Sequence, residues 1–141
     1  LRGWREFASL QESVATNSLL VKQDAKLLNS DIIPVVINRS LPRYIAKYNL
    51  NPDEIDWFLP HYSSEYFRQI IYNHMKEIDF EIPEERWFSN LSEKGNTGSA
   101  SIYIILEEIF KSGRLKKGDK ILCFIPESGR FSVGYMMLTV V

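Results

Sequence analysis

The sequence has few of the residues that form disulfides or bind metals. It contains one cysteine and two histidines in 141 residues. A single cysteine excludes a disulfide within the chain, and this usage fits a protein of the reducing cytoplasm. Because no histidine or cysteine lies in a cluster at chelating spacing, we expect no metal ion and no other cofactor.

Excess charge and long apolar runs are also absent. The 17 lysine and arginine residues nearly balance the 18 aspartate and glutamate residues, which argues against a surface for nucleic acid or anionic membranes. No apolar run reaches the roughly 18 residues that cross a bilayer, and the start has no signal-peptide pattern. We therefore expect a cytoplasmic protein that binds neither nucleic acid nor membrane. Since the sequence starts at Leu1 rather than at methionine, we expect a fragment.

What the sequence does have is the composition of one globular domain. Its 45% apolar residues suffice for a core in a single domain of this length. The apolar periodicity alternates between helical and extended patterns and ends in a hairpin, which predicts an α/β layered sheet. The predicted helices cover residues 23–48, with interruptions at Pro34 and Pro42, a stretch after Ser63 or Ser64, and residues 98–111; the predicted strands cover 55–59, 86–90, 120–124 and 130–140.

One predicted helix is unusual because it is apolar on every side. Residues 102–106 read Ile-Tyr-Ile-Ile-Leu, and small residues precede them. A helix that is apolar all round is buried all round. A single sheet covers only one side of such a helix, so we expect a second sheet, from a missing part of the chain or from a partner, to cover the other.

Three residues are candidates for a site. His61 follows Pro60 at the end of a predicted strand, where open α/β sheets tend to place their chemistry. Asn96 lies in a Gly-Asn-Thr-Gly turn, and Gly129 lies in the hairpin turn. An imidazole and a carboxamide that converge on one point can hold a developing oxyanion. Each residue also has a structural interpretation: a hydrogen-bonded histidine, a turn asparagine, and a glycine that tolerates positive φ.

Other reactive or charged residues favour structural roles. Cys123 lies within a predicted strand and is expected to be buried as a small hydrophobe rather than to act as a nucleophile. His74 lies on the apolar face of its helix, which is typical of a core or interface residue. Lys116 and Lys117 precede Gly118 and are interpreted as a solvated turn, with docking of a carrier protein as the alternative.

Three motifs together resemble one family, the β-ketoacyl-acyl carrier protein synthase III family. Residues 54–61, EIDWFLPH, resemble its strand that ends in Pro-His; residues 95–101, GNTGSAS, resemble its GNTSAAS; residues 112–119, SGRLKKGD, are similar to its SGRIKPGD. The resemblance covers about 18–141. It implies that residues 1–141 form the C-terminal half of a thiolase-like fold, with a mixed five-stranded sheet and helices on both faces. The N-terminal half, which carries the nucleophilic cysteine, would be absent from this chain.

The resemblance also implies a decarboxylative Claisen condensation of fatty acid biosynthesis. A cysteine of the N-terminal half takes an acyl group from a thioester, and His61 and Asn96 stabilise the enolate formed when a malonyl-type thioester loses CO₂. Gly129 corresponds to the glycine whose N–H joins the oxyanion hole for the acyl thioester. The implied partners are acyl carrier protein, coenzyme A thioesters, or both, and a second copy in a homodimer of the full-length enzyme. The isolated chain would be inactive.

Several positions depart from the family pattern. Tyr62-Ser63-Ser64 replaces Gln-Ala-Asn, and Tyr66 stands where a basic residue often lies, with Arg68 as a possible substitute. The glycine-rich turn has become Pro-Glu-Ser-Gly-Arg at residues 126–130. The alternative hypothesis is therefore a catalytically inactive ketosynthase-like partner subunit. A binding module that acts alone is a third possibility.

Overall fold

The computed structural model describes residues 7–17 and 24–141, whose contacts divide the chain into the units Leu1–Asp31 and Ile32–Val141. The helices are α1 (Leu10–Ala15), α2 (Ala25–Ile33), α3 (Leu41–Tyr48), α4 (Tyr66–Glu77), α5 (Leu91–Lys94) and α6 (Ser101–Lys111). The strands are β1 (Trp57–Pro60), β2 (Lys120–Glu127) and β3 (Ser132–Thr139). In the first unit, the Ser9 hydroxyl accepts the N–H of Glu12 and caps α1. The sheet and the candidate site belong to the second unit.

The two prolines in the predicted helix at 23–48 interrupt it as expected. Pro34 begins a π-helical segment, Pro34–Ser40, and Pro42 lies in the first turn of α3, which follows that segment directly. Neither proline has an N–H to donate to the helical hydrogen bonds. The hydroxyl of Tyr135 on β3 donates to the Val36 carbonyl, at 2.5 Å. This bond connects the π-helical segment to the sheet. The predicted start at residue 23 lies outside the described residues.

The sheet is mixed, as predicted, but in the described residues it has three strands rather than five. β1 pairs parallel with β2, and β2 pairs antiparallel with β3. The hairpin prediction is confirmed, although its strands extend to Glu127 and start at Ser132. The part of the chain that the structure describes therefore forms fewer strands than the five that the resemblance implied.

The strand predicted at 86–90 is reduced to one bridge. Trp87 bridges Phe58 in parallel, and the Phe88 N–H donates to the Phe58 carbonyl at 2.9 Å. Before it, Glu84–Arg86 forms a 3₁₀ turn. Side chains hold this segment instead of a ladder: the Arg86 guanidinium donates to the Ile55 carbonyl at 3.0 Å, and the Trp87 indole donates to the Ile82 carbonyl at 2.8 Å.

Helices cover both faces of the sheet, as the resemblance implied. Since side chains alternate along a strand, Leu59 and Cys123 point to one face and pack against α6. Phe58 and Phe124 point to the other, where their rings lie 6.2 Å apart and Phe124 contacts Tyr135. The bond from Tyr135 to Val36 ties this second face to the π-helical segment.

Within this chain α6 is buried on one side only, and the cover expected for its other side, from a missing part of the chain or from a partner, stays a prediction. Ile102, Ile105 and Ile109 are buried against the sheet, but Tyr103 is 70% exposed and Phe110 is 74% exposed. One sheet covers one side of the helix, so the apolar residues of the opposite side stay in contact with solvent.

Candidate active site

His61 directly follows β1, and its position is fixed by the sheet. Its backbone N–H donates to the Phe124 carbonyl at 2.8 Å, which extends the pairing of β1 with β2 by one residue. The imidazole makes no hydrogen bond to a described residue, so its nitrogens remain available. Burial lowers the pKa of the His61 imidazole below its ordinary value, because desolvation disfavours the charged form. At neutral pH the ring is therefore a neutral donor.

Asn96 sits in the turn before α6, between two glycines in the left-handed region. Gly95 has φ 71° and Gly98 has φ 62°, a backbone that residues with a side chain rarely adopt. The Asn96 Oδ1 accepts the N–H of Gly98 at 2.9 Å, while its Nδ2 donates to no described residue. The turn thus fixes the carboxamide through its acceptor and leaves its donor free.

The helix predicted at 98–111 starts later than expected. Gly98–Ala100 is a 3₁₀ turn, and α6 begins at Ser101. The Ser101 hydroxyl accepts the N–H of Thr97 at 3.1 Å and also lies 2.9 Å from the Thr97 hydroxyl. These bonds connect the Asn96 turn to the buried first turn of the helix and so restrict where the carboxamide can point.

Chain direction places His61, Asn96 and Gly129 at one edge of the sheet. The bridge at Trp87 and strand β2 both run parallel to β1. α6 connects these two parallel segments and so runs back across the sheet, which puts its start at the edge where β1 ends. β2 ends at the same edge and leads into the loop 128–131, which contains Gly129. Ligands of open α/β sheets bind at this carboxyl edge. No hydrogen bond joins the three residues.

Gly129 does not have the positive φ considered for it, and its N–H is already bonded. The left-handed residue of this loop is Phe131, with φ 48°. The Glu127 carboxylate accepts the Gly129 N–H at 2.6 Å and the Arg130 N–H at 3.0 Å. A Cβ on Gly129 would lie 2.8 Å from Oε1 of Glu127, so a larger residue here would displace the end of this exposed side chain.

The prediction that Cys123 is buried is confirmed. It lies in the middle of β2 with no exposed surface, and burial raises the pKa of its thiol to about 12. A nucleophilic cysteine needs the thiolate form and access to substrate. The one cysteine of this chain has neither.

His74 and Arg68 have structural contacts. The Nδ1 of His74 is buried and lies 3.0 Å from a Glu77 oxygen, although the two groups are not aligned as a hydrogen bond. The Arg68 guanidinium donates to Glu84 at 3.0 Å and to the Tyr62 hydroxyl at 3.3 Å, and it lies over the Trp87 ring. Arg68 therefore links α4 to the segment beside β1.

The remaining surface features are few. One cavity, of about 390 Å³, is lined by two arginines, two aromatic residues and five other polar residues: Arg68, Arg114, Trp87, Phe88, Ser89, Asn90, Glu93, Glu108 and Ser112.

Lys116 and Lys117 are exposed in a turn, as expected. Over residues 7–17 and 24–141, no group of three histidine, cysteine or acidic side chains is arranged to hold a metal ion. No helix in those ranges is long and apolar enough to cross a bilayer.

Comparison with known proteins identifies one family. The family model described as "3-Oxoacyl-[acyl-carrier-protein (ACP)] synthase III C terminal" matches residues 45–139. That range contains His61, Asn96 and Gly129.

Individual relatives agree with the family model. A protein of Microcystis aeruginosa named β-ketoacyl-[acyl-carrier-protein] synthase III is 38% identical over 89 residues, which cover 63% of this chain and 24% of that relative. A protein of the same name from Azobacteroides pseudotrichonymphae is 33% identical over 111 residues, or 79% of this chain and 31% of that relative. This chain therefore spans about a quarter to a third of the curated relatives that it matches.

A solved structure extends the similarity to three dimensions. The crystal structure of 3-oxoacyl-[acyl-carrier-protein] synthase III from Aquifex aeolicus superposes with a TM-score of 0.64 at 28% identity. The superposition covers 84% of this chain and 36% of that one. The mixed sheet with helices on both faces is thus the thiolase-like architecture of that enzyme's corresponding part.

Proposed function

This chain belongs to the family of C-terminal domains of 3-oxoacyl-[acyl-carrier-protein] synthase III, and we propose that it supplies half of the active site of a condensing enzyme. The reaction is the decarboxylative Claisen condensation of an acyl thioester with a malonyl-type thioester. Residues 1–141 act as the C-terminal thiolase-like domain. The nucleophilic cysteine comes from a part of the protein outside this chain, because Cys123 is buried and its thiol is protonated.

The first half-reaction loads the acyl group. The cysteine thiolate attacks the carbonyl carbon of the acyl thioester, the carbon–sulfur bond to the donor breaks, and the donor thiolate leaves and takes up a proton. The carbonyl oxygen becomes negative in the transition state. The Gly129 N–H is the donor that this chain offers to that oxygen, since a backbone N–H aimed at developing charge stabilises the transition state.

The second half-reaction joins two carbon atoms. The malonyl-type thioester loses CO₂, and the electron pair of the broken carbon–carbon bond passes into an enolate whose oxygen is held by the His61 imidazole and the Asn96 Nδ2. The enolate carbon attacks the acyl-cysteine carbonyl, and the cysteine thiolate leaves. Two neutral donors suit a charge that exists only during the reaction, and the lowered pKa keeps His61 neutral.

The observation that carries this proposal is the donor pair at the carboxyl edge. Asn96 is fixed through Oδ1 to the Gly98 N–H, so its Nδ2 is free for a ligand. His61 is fixed through its backbone to β2, with an imidazole that forms no hydrogen bond to a described residue. Both donors lie at the edge of the sheet where α/β enzymes bind ligands.

The partners follow from the reaction. We expect acyl carrier protein, coenzyme A thioesters or both as thioester donors, a homodimer in the complete protein, a cytoplasmic location and a place in fatty acid biosynthesis. The exposed apolar side of α6, with Tyr103 and Phe110, is the surface that we expect the rest of the protein to cover.

A second function is favoured by one observation. The Gly129 N–H is bonded to Glu127 rather than open to substrate. If that bond is permanent, the acyl oxyanion lacks a donor, and the chain belongs to a ketosynthase-like partner subunit without catalysis of its own.

Intact mass of the complete protein that contains this chain tests the proposal. The protein is incubated with a panel of acyl-coenzyme A and acyl-carrier donors, and peptide mapping locates any adduct. We expect an acyl adduct on a cysteine outside this chain, and no adduct on Cys123. Absence of an adduct with every donor would contradict the enzyme and favour the partner subunit.

A further inference from the structure

The loop between β2 and β3 is closed by one side chain. Glu127, the last residue of β2, turns its carboxylate back over the loop, where Oε1 accepts the Gly129 N–H at 2.6 Å and Oε2 accepts the Arg130 N–H at 3.0 Å. The Ser132 hydroxyl lies 3.5 Å from Oε2. Two adjacent backbone donors at the carboxyl edge of the sheet thus point at one anionic group that the chain itself provides.

We propose that Glu127 is an autoinhibitory ligand of the site: its carboxylate occupies the Gly129 N–H, and an acyl thioester must displace it before that N–H can bind the acyl oxygen. The inference rests on the proposed function, because it concerns access to the donor used in acyl loading. It adds a regulatory contact made by a residue outside the His61 and Asn96 pair.

The carboxylate competes strongly for this donor. Hydrogen bonds to an ionised acceptor are about twice as strong as those between neutral groups, and the carbonyl of a thioester is neutral until the cysteine attacks it. Glu127 also bonds two N–H groups at once. In the ground state, the thioester carbonyl is therefore a weaker acceptor for the Gly129 N–H than the Glu127 carboxylate. The negative oxygen of the transition state is able to compete with that carboxylate.

The carboxylate is nevertheless able to leave. Glu127, Ser128, Gly129 and Arg130 are all exposed. No lysine or arginine nitrogen in residues 7–17 and 24–141 forms an ion pair with Glu127, so only the loop holds its carboxylate. Rotation of a single side chain frees both N–H groups without moving β2 or β3.

Acyl loading of Glu127 variants in the complete protein tests the inference. Single-turnover loading is followed by intact mass for the wild type, Glu127→Ala, Glu127→Gln and the control Glu85→Ala, which removes an exposed carboxylate far along the chain from the loop. We expect Glu127→Ala to load about tenfold faster than the wild type, equivalent to about 1.4 kcal/mol. Glu127→Gln should show a smaller gain because its amide oxygen is uncharged, and Glu85→Ala should load at the wild-type rate.

A second measurement reads the contact without activity. Amide hydrogen exchange of the peptide that contains Gly129 and Arg130 should be slow in the wild type and faster in Glu127→Ala. Equal exchange in the two proteins overturns the proposal, because the carboxylate then does not hold these N–H groups.

The outcomes separate this inference from the proposed function. If the wild type loads, and Glu127→Ala loads at the same rate or more slowly, the inhibitory role alone is overturned. The carboxylate then only stabilises the loop. Loading by Glu127→Ala but not by the wild type supports both proposals. No loading by any of the four proteins overturns both.

Discussion

The interior of the sheet and its carboxyl edge differ in what fixes their side chains. In the interior, Leu59, Cys123 and Phe124 have no exposed surface and are held by close packing from both faces. At the edge, Asn96 and Gly129 are exposed and are positioned by single hydrogen bonds to neighbours two residues away. Packing errors are costly because interiors are dense, whereas a local hydrogen bond can be exchanged for one to a ligand. The interior therefore determines stability, and the edge can carry chemistry.

The largest effect is expected from a substitution in the interior of the sheet, which should reduce the stability of the protein. Phe124 is fully buried between Phe58 and Tyr135, so Phe124→Ala should lower the free energy of unfolding of the complete protein by about 3–5 kcal/mol. Phe124→Leu, which keeps an apolar side chain, should lose much less. Urea denaturation gives both values. An unchanged midpoint for Phe124→Ala would contradict the burial described for this strand.

The next largest effect is expected from a substitution at the carboxyl edge, which should reduce catalysis while changing stability little. Asn96→Ala removes the Nδ2 donor, so condensation should fall by roughly 10²–10³-fold, while acyl loading continues. Product formation by mass spectrometry and loading by intact mass measure the two steps separately.

Asn96→Asp provides the matched control for that loss. Its carboxylate still accepts the Gly98 N–H, so the turn and its contribution of about 1 kcal/mol to stability are kept, but it has no donor for the enolate. Condensation should fall as in Asn96→Ala while the melting temperature returns to the wild-type value. If Asn96→Asp condensed at the normal rate, the donor role of Asn96 would be wrong.

The smallest effect is the titration of His61. Burial lowers its pKa, so its NMR midpoint in the folded protein should lie below the ordinary value of about 6.5. The unfolded state then binds the proton more tightly. His61 consequently reduces stability only as the pH falls below about 6.5 and has no such effect above it. The urea-unfolded protein is the reference, and His61→Gln identifies the signal. A folded midpoint at or above the reference would contradict the burial of the ring.

Much of the architecture could be predicted from local patterns. Pro34 and Pro42 interrupt a helical stretch wherever it packs, because the missing N–H and the fixed φ are properties of the residue. Glycines at 95 and 98 predict a turn for the same kind of reason. The candidate residues His61 and Asn96 could be named from their places at the end of a strand and in that turn.

Long-range contacts limited the remaining predictions. The strand expected at 86–90 became one bridge, and the Arg86 guanidinium donates to the carbonyl of Ile55, which lies far away along the chain. The apolar pattern of α6 predicts that both of its sides are covered, but it does not say what covers the side that exposes Tyr103 and Phe110 in this chain.

By itself, the sequence determined the interruptions at proline, the glycine turn and the residue types of the candidate donors, because each depends on a residue's own chemistry and its near neighbours. The tertiary structure decided that these donors share one edge, that Cys123 is sealed in the core with its pKa raised, and that Glu127 occupies the Gly129 N–H. Strand direction, burial and the rotation of a side chain are set by contacts in space, and a linear pattern does not contain them.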